Sequence, residues 1–221
     1  MSNSVVRTLV TTAVSAVLST VVVALVGLAV PFLLSAPVLV FVAVAMGAYG
    51  LFAGILGSYD LTTGLGWLTL LIDVTWSLPS TLFGAVVANL IYPIFGTPSR
   101  SASAGQHWIA YLPRSSSGFG SSVLQTVGTV NLGGAGQHER MHLLQHRIFG
   151  PAYLPVIVVS YVVTGAIQLL FLLPLGLILW ATKVRDTPYL RPPSHSAVPG
   201  LFGWIYYATP FEVWAYASGN P

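Results

Sequence analysis

The chain has 221 residues, of which 55% are hydrophobic and only 6% charged, with a net charge of +3 and a mean hydropathy of +0.81. A soluble domain carries about 25% Asp, Glu, Lys and Arg, so eight basic and five acidic residues cannot wet this one, and lipid is its natural solvent. The absence of cysteine excludes disulfides, thiolate ligands and cysteine nucleophiles. The scattered basic residues exclude the dense cationic stripe that nucleic acid requires, and membrane lipid is the expected surrounding partner.

A spanning helix needs about 20 apolar residues. The first is expected from Thr8 to Val30, behind Arg7. Its apolar run, Leu9 to Leu34, is much longer than the roughly 7–15 residues of a signal peptide, so it reads as a retained anchor. Pro31 and Pro37 interrupt the chain, and a second helix follows from Val38 to Leu56, with Gly47, Gly50 and Gly54 suited to close helix contact. The third apolar segment, Leu65 to Phe95, is too long for one straight span, and Pro79 is expected to kink it. Asp73, costly in hydrocarbon, should face protein or sit at the interface.

From Gly96 to Gly150 the chain turns polar and holds four Arg and four of the five His. Ser121 to Asn131 alternates and is β-prone, which predicts a strand. The glycines around Gly133 break it, and a helix is predicted from Gln137 to Phe149, stopped by Gly150-Pro151. A fourth span runs from Tyr153 to Thr182, before Lys183, Arg185 and Arg191. The aromatic tail from Leu201 to Tyr216 suits an interface or a re-entrant piece. The expected fold is an all-α polytopic membrane protein, with about four transmembrane helices and a small β-containing loop before the polar helix. Its parts are residues 1–95 (three spans), 96–152 (polar loop, strand and helix), 153–182 (fourth span) and 183–221 (tail). The expected setting is the cytoplasmic membrane of a prokaryote. Four crossings would place Arg7 and the Lys183/Arg185/Arg191 cluster on one side and the polar segment on the other.

The chemistry concentrates in His138-Glu139-Arg140-Met141-His142. Four helical residues turn the chain by about 400°, so both imidazoles leave one face, one turn apart. That spacing lets two neutral ring nitrogens reach one Zn²⁺ at about 2.0–2.1 Å. Glu139 can then take the proton of a water that the metal activates. His146 lies eight residues beyond His138, about 12 Å up the helix, too far to share the ion, and is expected beside the site or near headgroups. Gln145 can hydrogen-bond within it.

This H-E-x-x-H helix with a strand before it resembles the zincin metallopeptidases, in particular their integral-membrane members. The resemblance implies a zinc cofactor, Glu139 as catalytic base, and an edge strand near Ser121 to Asn131 that pairs with an extended substrate. In the gluzincin branch a later Glu is the third ligand. Glu212, in Phe211-Glu212-Val213-Trp214-Ala215, looks like that residue in an E-x-x-A setting, with Tyr216 where the branch commonly carries Asp. Asp73 remains the rival third ligand. Tyr206, Tyr207 and Tyr216 are candidate hydrogen-bond donors beside Glu212, and His107 and His195 are lone loop histidines.

The function expected is hydrolysis of peptide bonds in or near the bilayer, on membrane-anchored or membrane-proximal polypeptides. The alternative is a non-enzymatic membrane protein that uses the His-rich helix for metal sensing, transport or assembly. One difficulty attends either reading. A single crossing between His142 and Glu212 would put the two halves of the site on opposite faces, so the tail must re-enter, the motif helix must sink, or the intervening segment must fold back.

Overall fold

The computed structural model of the chain describes residues 3–114, 125–133, 136–172, 174 and 205–218. Helix α1 (Ser4–Gly27) begins on Asn3, whose side chain accepts from the Val5 amide at 2.9 Å. A 3₁₀ turn at Pro31–Leu34 leads into α2 (Ala36–Leu56). These two helices form the most extensive helix pair of the protein, and the reason lies in their small residues. Thr11, Ser15 and Ser19 of α1 are buried at four-residue spacing, so they line a single face. Opposite them, a Cβ on Gly50 would stand 2.7 Å from Ser15 Oγ, and one on Gly54 2.6 Å from Thr8 Cα. Only glycine allows that approach in a medium where close packing, not water exclusion, holds helices together. The outward faces carry Leu9, Val17, Val40, Phe41 and Val44, all exposed, as a lipid-facing surface requires.

The third apolar segment is divided. α3 (Gly64–Val74) is capped by Thr63, whose hydroxyl accepts from the Gly66 amide at 3.0 Å. The chain breaks at 75–77, where the Ser77 amide reaches back to the Ile72 carbonyl at 2.8 Å. It resumes as α4 (Leu78–Phe83), a π turn (Gly84–Ala88) and α5 (Asn89–Phe95). Pro79 therefore does not kink a continuous helix. It sits in the first turn of α4, where its missing N–H costs no hydrogen bond. The polar segment that follows comes back to the C-terminal end of α2. Gly105 N and His107 N donate to Gly57 O and Ser58 O, each at 2.9 Å, and Arg7 Nε donates to Gly54 O at 3.3 Å. Arg7 and the polar segment thus share one end of the α1–α2 pair. The chain leaves that end at Gly57 and comes back to it at Gly105.

The polar segment builds a four-stranded sheet in the order β1-β2-β4-β3. β1 (Gly96–Pro98) pairs antiparallel with β2 (Ile109–Pro113), with a short helix α6 (Arg100–Ser103) between them. β2 pairs in parallel with β4 (Val130–Leu132), and β4 antiparallel with β3 (Gln125–Val127). Where one strand was expected there are two, since Gly128, at φ 59°, turns the chain back between them. A Cβ there would lie 2.8 Å from the Ser80 carbonyl carbon, so the hairpin tip is pressed onto α4. Residues 121–124 of the expected strand lie outside the described residues. Ile109 and Val130 join Met46, Tyr49, Leu70 and Val74 in the buried core.

After Gly136 the motif helix α7 (Gln137–Phe149) runs to Gly150 and a short turn. α8 (Tyr153–Ile167) follows, extended by a π turn at Gln168–Leu172. Among the described residues, four helical stretches are long and apolar enough to cross a membrane: Ser4–Gly27, Ala36–Leu56, Leu78–Phe95 and Gln137–Phe171. The chain is an all-α polytopic membrane protein with a small sheet ahead of its H-E-x-x-H helix. The tail supplies α9 (Pro210–Ala217). The Lys183/Arg185/Arg191 cluster, Asp186, His195 and the end of the fourth span lie outside the described residues.

Replacing Gly54 by Leu should force α1 from α2 and lower stability by about 1–3 kcal/mol, the usual cost of overpacking. Thermal unfolding in detergent will show it, with Gly64→Leu, where a side chain meets open space, as the neutral control.

Candidate metal centre

The motif helix presents His138, Glu139, His142, Gln145 and His146 to the protein interior and Gln137, Arg140, Leu144 and Ile148 outward. The division follows from helical geometry, since positions three and four apart share a face. His138 Nε2 and His142 Nε2 lie 3.1 Å apart. Glu212 Oε2, from α9, stands 3.3 Å from the first and 3.4 Å from the second. All three side chains are buried, and together they form a group able to hold a metal ion. Neither Glu212 Oε2 nor His138 Nδ1 makes a hydrogen bond. A buried carboxylate oxygen left without a donor is costly, and this one is aimed at two ring nitrogens. Burial works to raise the Glu212 carboxyl, and the two imidazoles and Tyr161 outweigh it and hold the group at about 2.

The tail therefore returns to the motif helix. Tyr161, on α8, donates to Glu212 Oε1 at 2.9 Å, which leaves the other oxygen facing the histidines. Gln145 Nε2 donates to the Phe211 carbonyl at 2.8 Å, and Phe149 packs on Phe211 at 5.2 Å between ring centroids. Tyr216 lies on the His138 ring, 4.2 Å between centroids, and Tyr207 is 5.2 Å beyond it. Burial and the interaction with Tyr207 push the Tyr216 phenol up, so it stays protonated. Tyr206 stacks on Tyr161 at 6.3 Å.

Glu139 is fully buried next to the cluster, and Thr126 of β3 donates to its Oε2 at 2.5 Å. Asn131 of β4 donates to the Thr126 hydroxyl at 3.1 Å, so the β3–β4 hairpin orients the carboxylate. No described strand flanks β3 on its outer side. Among the described residues β3 is therefore an edge of the sheet.

Asp73, the rival third ligand, is engaged elsewhere. Its carboxylate accepts from Arg147 Nε at 2.8 Å and from a terminal nitrogen of Arg147 at 2.7 Å. It also accepts from the Tyr59 hydroxyl at 2.7 Å and meets His146 Nε2 at 3.2 Å. His146 is fully buried, and its Nδ1 lies 2.5 Å from Ser80 Oγ. It fastens α7 to α3 and α4 and faces neither the cluster nor a headgroup. Arg147 also donates to the His107 carbonyl at 2.8 Å. His107 holds a left-handed backbone, φ 62°, and its Nδ1 lies 2.9 Å from Thr69 Oγ1. Burial and the Arg147 guanidinium push its pKa down, so it is a neutral structural group away from the cluster. Asp60 is a turn residue that accepts from Thr62 at 2.6 Å.

Three contributors were not anticipated: Thr126, Tyr161 and Arg147. Each acts through a contact between segments separated in the chain, and only Tyr161 carries a local signal, a phenol in the middle of an apolar run. No family model matches the sequence, and no curated protein or solved structure matches it.

Removing Asp73 should leave Arg147 as a buried, unpaired charge and cost about 3–5 kcal/mol, while metal stoichiometry stays as in the parent. Denaturation of Asp73→Asn alongside metal analysis tests both statements. Loss of metal with unchanged stability would return Asp73 to the ligand set.

Proposed function

We propose that this chain is an integral-membrane zinc metallopeptidase of gluzincin type, acting on membrane-anchored or membrane-proximal polypeptides. The observation that carries this reading is the triangle of His138 Nε2, His142 Nε2 and Glu212 Oε2, with sides of 3.1, 3.3 and 3.4 Å. Ligand atoms at about 2.0–2.1 Å from a tetrahedral zinc stand about 3.3–3.4 Å apart, so the three residues match that ion with little adjustment. Three protein ligands with one position open is the pattern of a catalytic site, whereas structural sites close the fourth position with protein.

Zinc, when bound, supplies Lewis acidity that polarises the scissile carbonyl and eases deprotonation of water. The chain's own residues supply the rest. Glu139 accepts a proton from the attacking water and delivers it to the leaving amine. Thr126 holds one of its carboxylate oxygens and so fixes the plane from which the other works. The outer edge of β3, in the strand that carries Thr126, can pair with an extended substrate backbone, and main-chain hydrogen bonds of that kind position a peptide without reading its sequence. Tyr216, a protonated phenol against His138, is placed to donate to developing negative charge.

One observation favours the second reading, a metal-sensing or assembly site. His138, Glu139, His142 and Glu212 are only 1–6% exposed, as in a closed structural centre. The two readings differ over Glu139, which an inert site does not need.

Purified protein should contain about one zinc per chain, and His142→Ala should lose it, as read by elemental analysis. Glu139→Gln should keep the zinc and the fold while peptide hydrolysis falls by about 10²–10⁴-fold. Retained cleavage in that variant would sink the peptidase mechanism, and a wild type with zinc but no hydrolysis would favour the second reading.

A further inference from the structure

Gln145 is fully buried, three residues after His142 on the inward face of α7. Its two amide atoms serve different partners. Nε2 donates to the Phe211 main-chain carbonyl at 2.8 Å, and Oε1 lies 2.9 Å from His142 Nδ1. A carbonyl oxygen can only accept, so Phe211 dictates which way the amide points: NH₂ toward α9, oxygen toward the imidazole. An amide oxygen can also only accept, so His142 must carry its proton on Nδ1. In the neutral ring the lone pair then falls on Nε2, the atom that faces His138 and Glu212. Phe211 immediately precedes Glu212 in the sequence.

We infer that Gln145 is a positioning residue that couples the two halves of the centre: docking of α9 delivers Glu212 and, through the same amide, sets His142 in its metal-binding tautomer. The inference rests on the metal reading above for its consequence, but the tautomer is a property of the metal-free protein. His138 provides the contrast. Among the described residues its Nδ1 makes no hydrogen bond, so no partner behind the ring sets its tautomer as Gln145 sets that of His142. Partners of metal-bound histidines commonly change metal affinity by about 10–100-fold when removed, and Gln145 should act at the upper end because it holds two elements at once.

Two variants separate its duties. Gln145→Met keeps the volume and removes both hydrogen bonds. Gln145→Glu keeps an acceptor for His142 but sets a carboxylate oxygen against the Phe211 carbonyl. The first measurement is ¹⁵N spectroscopy of the imidazoles in metal-free protein. The wild type and Gln145→Glu should show His142 protonated on Nδ1, and Gln145→Met should shift it toward the Nε2-protonated form. The second is the distance distribution between spin labels at Leu144 and Val213, both exposed, one on α7 and one on α9; the labels are unique because the chain has no cysteine. It should be narrow in the wild type and broad in both variants. The third is zinc affinity by chelator competition, which should fall by about 10–100-fold in Gln145→Met. An unchanged His142 tautomer and an unchanged label distance in Gln145→Met overturn the coupling. A wild type that binds no zinc, with the tautomer and distance shifts as stated, sinks the metal reading and leaves the coupling intact. Should Gln145→Met fail to fold, Gln145→Glu decides: a narrow label distance in it overturns the proposal.

Discussion

The buried pair of Asp73 and Arg147 is the contact on which the arrangement of this protein turns. Asp73 is fully buried near the end of an apolar helix, with a bidentate guanidinium against it. In such a setting neither charge is tolerable without the other. The pair adds little net stability relative to an apolar core, because desolvation consumes most of its attraction. Its effect is specificity: any packing that separates α7 from α3 strands two ions, so alternative registers of the motif helix are excluded. Tyr59 and His146 complete the hydrogen bonding of the carboxylate, and Ser80 ties His146 to α4. The C-terminal half of α7 is thereby fixed in rotation as well as in position.

Rotation matters because the site is written on the same helix. With His146 and Arg147 held against α3 and α4, His142 and His138, four and eight residues earlier than His146, must face inward too. The N-terminal half is then set from two further directions. The β3–β4 hairpin reaches Glu139 through Thr126, and the tail reaches His142 and His138 through Gln145 and Glu212. Polar backbone at the hairpin tip is sheltered by α4, which meets the requirement that non-helical chain within a membrane protein be enclosed by protein or water.

Much of this was legible in the residues. The i, i+4 histidines and the carboxylate between them predict a shared face by helical period alone, and the structure shows that face. The first two apolar runs predict helices with ends that the structure moves by only a few residues. Gly50 and Gly54 announced the close α1–α2 contact. Other features have no periodic signature. The break at 75–77 falls among Asp73, Thr75, Ser77 and Pro79, which interrupt the apolar run without any period that fixes where the helix stops, and β1, at three residues, is too short to alternate visibly. The partner of Asp73 lies 74 residues away, and nothing local distinguishes Arg147 from Arg140. Glu212 was reachable by likeness to a motif, but its return to the histidines depends on the fold-back of the tail, which no hydropathy pattern records.

That fold-back has a consequence in time. The histidines belong to one helix and come into register as soon as that helix forms, whereas Glu212 is added to the growing chain 70 residues after His142 (212 minus 142). Domains of a nascent chain generally organise from the N-terminal side onward. Until translation passes α9 and that helix turns back, the centre consists of two nitrogens only. A centre assembled in this order stays incomplete throughout membrane insertion of the helices that precede α9.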